Sequence, residues 1–163
     1  MAERLIGAFP SLVVQGVLLG RFYWLLVSDK RSIFVPLRPR VLVDSLGEAR
    51  RFVARVHGLP ADGEFDLAQR AAESPGVLEV AHAGLRRLSV RRRVNYYLFE
   101  YSYQTPADPF SRLTGSLVPP REYLGGKWAG TAVIRALQHH ALAFRDLYVR
   151  ALPAAAEKTE WNL

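Results

Sequence analysis

The segment FYWLLVSDKRSIFVP, residues 22–36, decides the class of fold. Two runs dense in aromatic and β-branched residues, 22–27 and 32–36, flank the polar residues 28–31. Runs of this kind on either side of a short polar turn are typical of a β-hairpin. The unbroken apolar run 22–27 predicts a strand that is covered on both faces, although its periodicity alone leaves a helix open.

Further strand-like segments lie on both sides of this hairpin. The apolar residues within 12–19, followed by Gly20, predict a preceding strand. The chain returns to strand chemistry over 77–118, with an expected hairpin of 85–90 and 94–103 and a last short strand near 113–118. The sequence therefore predicts two groups of strands.

Segments with helical patterns lie between the two groups of strands and after the second group. Ser45 and Glu48 fit a capping box, in which the two side chains satisfy unpaired amides at a helix start. This helix is expected to stop near Gly58, and a shorter one is expected over about 64–73. The clearest helix covers about 129–150, where apolar residues recur with a helical period: Val133, Ile134, Leu137, Ala141, Phe144 and Tyr148.

This element order predicts an α+β fold. We expect an antiparallel sheet or split barrel closed by the long C-terminal amphipathic helix, with a two-helix insertion near 45–73. At 163 residues, the chain is expected to form a single domain over 1–152, followed by a C-terminal tail over 153–163. Within that tail, Trp161 is the residue suited to docking on the domain.

Composition narrows the classes of function. The absence of cysteine excludes disulfide scaffolds, thiolate zinc sites and cysteine nucleophiles. Lys and Arg number 22 against 15 acidic residues, which gives a net charge of +7 and suggests an anionic partner.

The N-terminal region is the one stretch that resembles a targeting segment. Sixteen uncharged residues lie between Arg4 and Arg21, and they include Pro10. A membrane-spanning helix needs about 20 apolar residues. A signal peptide needs a positive start and an unbroken apolar run, which Glu3 and Pro10 disrupt. We therefore expect a cytoplasmic protein.

Residues 24–34, WLLVSDKRSIF, resemble the strand–turn–strand signature of bacterial pleckstrin-homology-like and GRAM-like domains. In that group an apolar strand, a Ser/Thr-Asp-Lys/Arg-Arg turn and a second apolar strand recur. The element order is similar as well, but the helices expected near 45–73 depart from the family's run of strands. The resemblance implies a split barrel with a capping helix and a binding or scaffolding role, usually without catalysis, and it implies no specific lipid.

An arginine cluster is the main candidate site. Five arginines fall within eight residues, without an acidic residue among them: Arg86, Arg87, Arg91, Arg92 and Arg93. Guanidinium groups bind phosphates bidentately and stay charged at any relevant pH. Neighbouring strand residues point to opposite faces, so only a hairpin end or twisted turn brings most of them together. The alternative is a solvated edge strand whose charges prevent edge-to-edge pairing.

An aromatic row follows the arginines. Tyr97, Phe99, Tyr101 and Tyr103 are spaced by two, so they share one face of the expected strand. If exposed, they would form a stacking platform for single-stranded nucleic acid. The glycine that an RNA-recognition motif carries after its basic residue is missing here. The alternative is that the row faces the core, because the final helix needs a hydrophobic partner.

Other candidate chemistry is sparse. Lys127 follows two glycines just before the final helix, a pattern that can hold phosphate on free backbone amides, but Arg121 stands where a Walker A loop needs glycine. His139 and His140 are adjacent and point about 100° apart on a helix, so they cannot chelate one metal. We expect no enzyme activity, no cofactor and no metal.

Three hypotheses follow from the sequence. The first is a non-catalytic binding module whose arginine-rich surface, supported by Lys127, engages lipid head groups, nucleic acid or an acidic protein face. The second is a single-stranded nucleic-acid-binding protein that stacks bases on Tyr97, Phe99 and Tyr101. The third is a structural subunit that assembles as a homo-oligomer through its apolar strands.

Overall fold

The computed structural model describes residues 3–14, 21–36, 76–94, 96–117 and 131–163. These ranges contain one α-helix, α1 (Thr131–Ala151), and two 3-10 helices, His82–Gly84 and Pro153–Lys158. The strands in the same ranges are β1 (Leu5–Val14), β2 (Arg21–Ser28), β3 (Arg31–Pro36), β4 (Leu78–Ala81), β5 (Leu85–Arg92), β6 (Tyr97–Tyr103), β7 (Ser111–Leu117) and β8 (Thr159–Asn162).

These strands form one sheet in the order β4-β3-β2-β1-β7-β6-β5-β8. Two antiparallel meanders, β1 to β4 and β5 to β7, are joined where β1 pairs with β7. β8 adds to the sheet parallel to β5, beyond the second meander. An α+β fold is therefore present, in which α1 follows the two meanders along the chain and precedes β8.

The hairpin predicted from residues 22–36 is confirmed as β2 and β3. Leu26 pairs with Ile33, and Leu25 pairs with Phe34. Leu25, Leu26 and Val27 point alternately to both faces of the sheet, and each is 0% exposed. β2 is thus covered on both faces, as its unbroken apolar run predicts.

The core lies between α1 and the sheet. Phe144 of α1 meets Phe9 of β1 edge-on, with ring centroids 5.1 Å apart, and stacks on Phe99 of β6 at 6.0 Å. The approach of α1 to β1 is close, because a Cβ on Gly7 would lie 2.7 Å from Leu147 Cδ1. The periodic residues of the predicted helix that the structure describes supply this buried face: Leu137, Ala141, Phe144 and Tyr148.

Both ends of the chain contain strands that the sequence did not predict, and residues 15–19 of the expected N-terminal strand lie outside the described ranges. β1 begins at Leu5, well before the expected strand at 12–19, because the apolar N-terminal stretch pairs with β2. The expected tail contains β8, whose Trp161 lies 6.3 Å from Phe144 between ring centroids. A four-residue strand is too short to show a period, which explains why the sequence did not reveal it.

The insertion expected near 45–73 lies outside the residues that the structure describes. Within the described ranges, no helix combines the length and the apolar character that are needed to span a bilayer.

Candidate functional site

The structure divides the arginine cluster between two ends of β5. Arg86 and Arg87 lie near the start of this strand, while Arg91 and Arg92 lie at its end and Arg93 begins the turn to β6. A strand rises about 3.3 Å per residue, which separates Arg86 from Arg92 by roughly 20 Å. The five arginines therefore do not share one surface, as the alternation of strand residues predicts, and three of them lie at the hairpin end.

Arg87 is neutralised by its neighbour on β8. Its Nη2 group donates a hydrogen bond to Oε2 of Glu160, and the two residues form an ion pair on the open face of the sheet. β8 pairs with β5 so that Glu160 stands beside Ser89, one position along that face from Arg87. The charge of Arg87 is thus satisfied within the chain.

Arg86 belongs to the opposite end of the β5–β6 hairpin from Arg91–Arg93. The pairing of β5 with β6 shifts between Leu85 and Arg87, which turns Arg86 out of the regular ladder. Its Nη2 group donates to Oε1 of Gln104 at 3.2 Å, and its guanidinium lies 5.3 Å from the ring centroid of Phe110. Arg86 therefore covers the β6–β7 connection.

The remaining three arginines surround the β5–β6 turn. Arg92 and Tyr97 are the last pair of the ladder, and the Arg93 amide donates to the Tyr96 carbonyl at 2.8 Å, which closes the turn. Arg91, Arg92 and Arg93 are exposed. We call residues 91–94 and 96 the hairpin tip.

No carboxylate among residues that the structure describes pairs with the arginines of the hairpin tip. Two apolar or aromatic side chains share the tip with them. Val94 is 97% exposed, and Tyr96 is 38% exposed. Arg31 and Arg87 form ion pairs within the chain, whereas the arginines of the hairpin tip form none with the residues that the structure describes. The tip therefore combines unpaired positive charge with exposed apolar surface.

The three arginines lie on both sides of the hairpin. Val90 is buried in the core, and because strand residues alternate, Arg92 continues the core-facing row at its outer margin. Arg91 pairs with Leu98 and belongs to the opposite row. A partner that meets all three charges must touch both sides of the turn.

The aromatic row is part of the core, which corrects the stacking prediction. Tyr97, Phe99 and Tyr101 are 3%, 0% and 0% exposed, and α1 covers them. Phe99 stacks on Phe144, and Tyr101 meets Tyr148 with ring centroids 5.9 Å apart. The three rings have no free face for a base, because the final helix uses them as its hydrophobic partner.

The Ser-Asp-Lys-Arg turn, residues 28–31, has an internal role. Ser28 Oγ accepts hydrogen bonds from the amides of Lys30 and Arg31 at 3.0 and 2.9 Å, which fixes the β2–β3 turn. The Arg31 guanidinium donates to both carboxylate oxygens of Glu3, at 2.9 and 2.7 Å, and to Glu79 at 2.9 Å. Arg31 is thus held by two acids of its own chain.

A buried polar network lies behind this turn, and the sequence analysis missed it. Ser32 Oγ is 2.9 Å from His82 Nε2 and 2.7 Å from the Tyr148 hydroxyl, which in turn bonds to the Tyr101 hydroxyl. Burial lowers the pKa of His82 to about 4, although the Asp29 backbone opposes this. Burial also raises the pKa of Tyr101 and of Tyr148.

The serine and histidine of this network do not form an accessible nucleophilic pair. Ser32 is 0% exposed and His82 is 8% exposed. The sequence offered only an isolated histidine, because Ser32 lies 50 residues away on β3 and the Tyr148 that bonds to Ser32 lies on α1.

The other candidates are dispersed. Lys127 lies outside the described residues. His139 is exposed on α1, whereas His140 is buried with its ring 4.2 Å from that of Phe9 between centroids. The two histidines therefore point to different environments, as their spacing predicts.

Comparison with known proteins bears on the fold. No protein-family model matches the chain, and no curated protein matches it by sequence. Among solved structures, the fold is similar to that of the hSac2 domain from human phosphoinositide phosphatase Sac2. The match covers 98% of this chain and 76% of that one, with a TM-score of 0.52 and 8% sequence identity. At this identity the likeness concerns architecture alone.

Proposed function

We propose that this chain is a non-catalytic binding module that holds an anionic partner at the hairpin tip. The observation that carries the proposal is the contrast among the arginines. Arg31 and Arg87 are paired with acids of the same chain, whereas Arg91, Arg92 and Arg93 are exposed and meet no described carboxylate. Exposed guanidiniums at a turn can form bidentate hydrogen bonds to phosphate or carboxylate oxygens.

A pleckstrin-homology-like architecture is part of this proposal. The Ser-Asp-Lys-Arg turn, the two joined meanders and a C-terminal helix packed on the sheet support it. The finer features that go with it are a split barrel closed by α1 and a helical insertion near 45–73.

Support for the proposed absence of catalysis comes from where the reactive side chains of the described residues lie. Ser32 and His82, the serine and histidine that meet in the core, are enclosed by Tyr148 and Tyr101. A substrate would have to displace this packing to reach them. The hairpin tip itself offers charge and apolar surface, which suit binding.

A binding screen tests this function. Wild-type protein is titrated with vesicles that contain an anionic lipid, with single-stranded RNA and with duplex DNA, each at low and high salt. The test variant is Arg91→Ala/Arg92→Ala/Arg93→Ala. The control variant, Arg112→Ala/Arg145→Ala/Arg150→Ala, removes the same charge from β7 and from the last turns of α1.

The expected result is salt-sensitive binding to at least one of the three ligands, since exposed charges are screened over about 8 Å at physiological ionic strength. The tip variant loses this binding, while the control variant keeps most of it. Binding that is equal in both variants, or absent for all three ligands, overturns the proposal.

A further inference from the structure

We infer that the anionic partner of the hairpin tip is a lipid bilayer surface, into which Val94 and Tyr96 insert. This inference rests on the proposed function and deepens it. It begins from Val94, which is 97% exposed although it is aliphatic. A single exposed aliphatic residue is ordinary on a protein surface, but this one stands at the end of a turn and has Tyr96 and three arginines around it.

The order of side chains along the tip fits the layers of a membrane interface. Val94 is the apolar group at the turn, and Tyr96 has an apolar ring with a polar hydroxyl, a combination that favours the level of the lipid head groups. The arginines lie one to three residues before Val94, so they fall at the depth of the lipid phosphates when Val94 enters the hydrocarbon boundary. Each part of the tip thus meets a layer of matching polarity.

The placement of charge on both sides of the turn favours a bilayer over a rigid macromolecule. Arg91 and Arg92 leave β5 on opposite sides of the sheet. A turn that enters a fluid layer of head groups is surrounded by phosphates on all sides. One face of a folded acidic protein or of a duplex would reach one side of the hairpin only.

Single-stranded nucleic acid is the less favoured partner because its bases need exposed rings. The aromatic row is buried beneath α1, and Tyr96 is the one aromatic side chain at the tip, 38% exposed. Base stacking on a single partly exposed ring would leave Val94 without a role. A bilayer uses both residues.

The expected binding is weak and reversible. A basic residue close to an anionic leaflet raises the affinity for the membrane by about fivefold. Three arginines therefore raise this affinity by about a hundredfold. Insertion of one valine side chain adds about a further tenfold. A tip of this size distinguishes an anionic from a neutral surface and does not anchor the chain permanently.

The test uses sedimentation with vesicles of phosphatidylcholine alone and of phosphatidylcholine mixed with phosphatidylserine. Val94→Ser is compared with Val149→Ser, which changes an exposed valine of α1 that is 56% exposed. Wild-type protein is expected on the mixed vesicles and not on the neutral ones. Val94→Ser is expected to bind about tenfold more weakly, whereas Val149→Ser binds like wild type.

Insertion is read directly with an environment-sensitive dye. The chain has no cysteine, so Val94→Cys provides a single attachment point, and Phe110→Cys provides a control beside Arg86 at the other end of the hairpin. On mixed vesicles the emission of the dye at position 94 is expected to shift to the blue. The dye at position 110 is expected to stay in water.

The outcomes separate this inference from the proposed function. If Val94→Ser matches wild type on mixed vesicles, or the dye at position 94 does not shift, the inference is overturned. If binding to RNA or DNA depends on Arg91, Arg92 and Arg93 but vesicles do not bind, the inference fails and the proposed function stands. If none of these ligands binds, both fail.

Discussion

The hydroxyl groups of Ser32 and Tyr148 lie 2.7 Å apart in the core, although 116 residues separate them in the chain. Ser32 is on β3 of the first meander, and Tyr148 is on α1. The Tyr148 hydroxyl also bonds to that of Tyr101 on β6, in the second meander. A single hydroxyl of the helix thus links both halves of the sheet.

Replacement of Tyr148 by phenylalanine is expected to destabilise the fold by about 1–3 kcal/mol, because Ser32 and Tyr101 lose a buried hydrogen-bond partner. Urea unfolding measures the difference. Tyr96→Phe is the control, since Tyr96 is at the surface of the tip and its replacement is expected to have almost no effect. Equal stability of Tyr148→Phe and wild type would show that the network adds nothing to the fold.

The stability of the fold is expected to decrease as the pH is lowered through a range that His82 determines. Burial lowers its pKa from 6.5 to about 4, so the unfolded chain binds a proton below pH 6.5 while the folded chain resists it down to about pH 4. The free energy of unfolding therefore decreases across this window as pH falls, by up to about 3 kcal/mol. Urea unfolding at several pH values measures the slope.

His82→Gln is expected to flatten that slope, because glutamine does not titrate. His139→Gln changes an exposed histidine and is expected to leave the slope as it is in wild type. A slope that persists in His82→Gln would assign the pH dependence to another group.

The ion pair of Arg31 with Glu3 is expected to contribute to stability. Burial alone would raise the pKa of Glu3, but hydrogen bonds from Arg31 and Ser28 outweigh it and hold that pKa below 4.5. The stabilisation is therefore present above pH 4.5 and is lost as pH falls through the lowered value. Arg31→Ala is expected to cost about 2 kcal/mol near neutral pH, because the Glu3 carboxylate, whose side chain is 9% exposed, loses its cation.

Arg145→Ala provides the comparison for this pair. Arg145 bonds to Asp146, but both side chains are well exposed, at 39% and 61%. Exposed pairs contribute little, so a loss below about 0.5 kcal/mol is expected in urea unfolding. If Arg31→Ala lowers the free energy of unfolding no more than Arg145→Ala does, Arg31 does not stabilise the fold.

Gly84 is expected to tolerate no side chain. A Cβ at this position would lie 2.5 Å from the Gln104 carbonyl oxygen, and the Gly84 carbonyl accepts the Gln104 amide at 2.9 Å. Gly84→Ala must shift one backbone against another and is expected to cost about 1–3 kcal/mol in thermal or urea unfolding. Ala83→Ser, at the exposed neighbouring position, is the control, and comparable stability of the two variants would contradict the close approach.

The sequence predicts the strands and the long helix because their signals are local. The apolar run of β2 and the helical period of α1 each lie within one element, and both are confirmed. β8 has four residues and owes its pairing to β5 and the docking of Trp161. Such a strand depends on tertiary contacts that no local pattern contains.

The sequence shows which residues are candidates for the site, but it does not show which of them lie together in the fold. The arginines are evident from the sequence, but the neutralisation of Arg87 depends on Glu160, which is 73 residues away. The separation of Arg86 from the tip depends on where the β5–β6 turn falls. Val94 was expected to begin the strand 94–103, but that strand begins at Tyr97 and leaves Val94 exposed in the turn.

The salt dependence of binding tests the central claim most directly. For wild-type protein and Arg91→Ala/Arg92→Ala/Arg93→Ala, the affinity for a short single-stranded oligonucleotide, used as a soluble phosphate ligand, is measured across a series of salt concentrations. If the tip supplies the phosphate contacts, the slope of log affinity against log salt is shallower by about 2 in the variant. Identical slopes for the two proteins would contradict the account, because the contacts would then lie elsewhere on the surface.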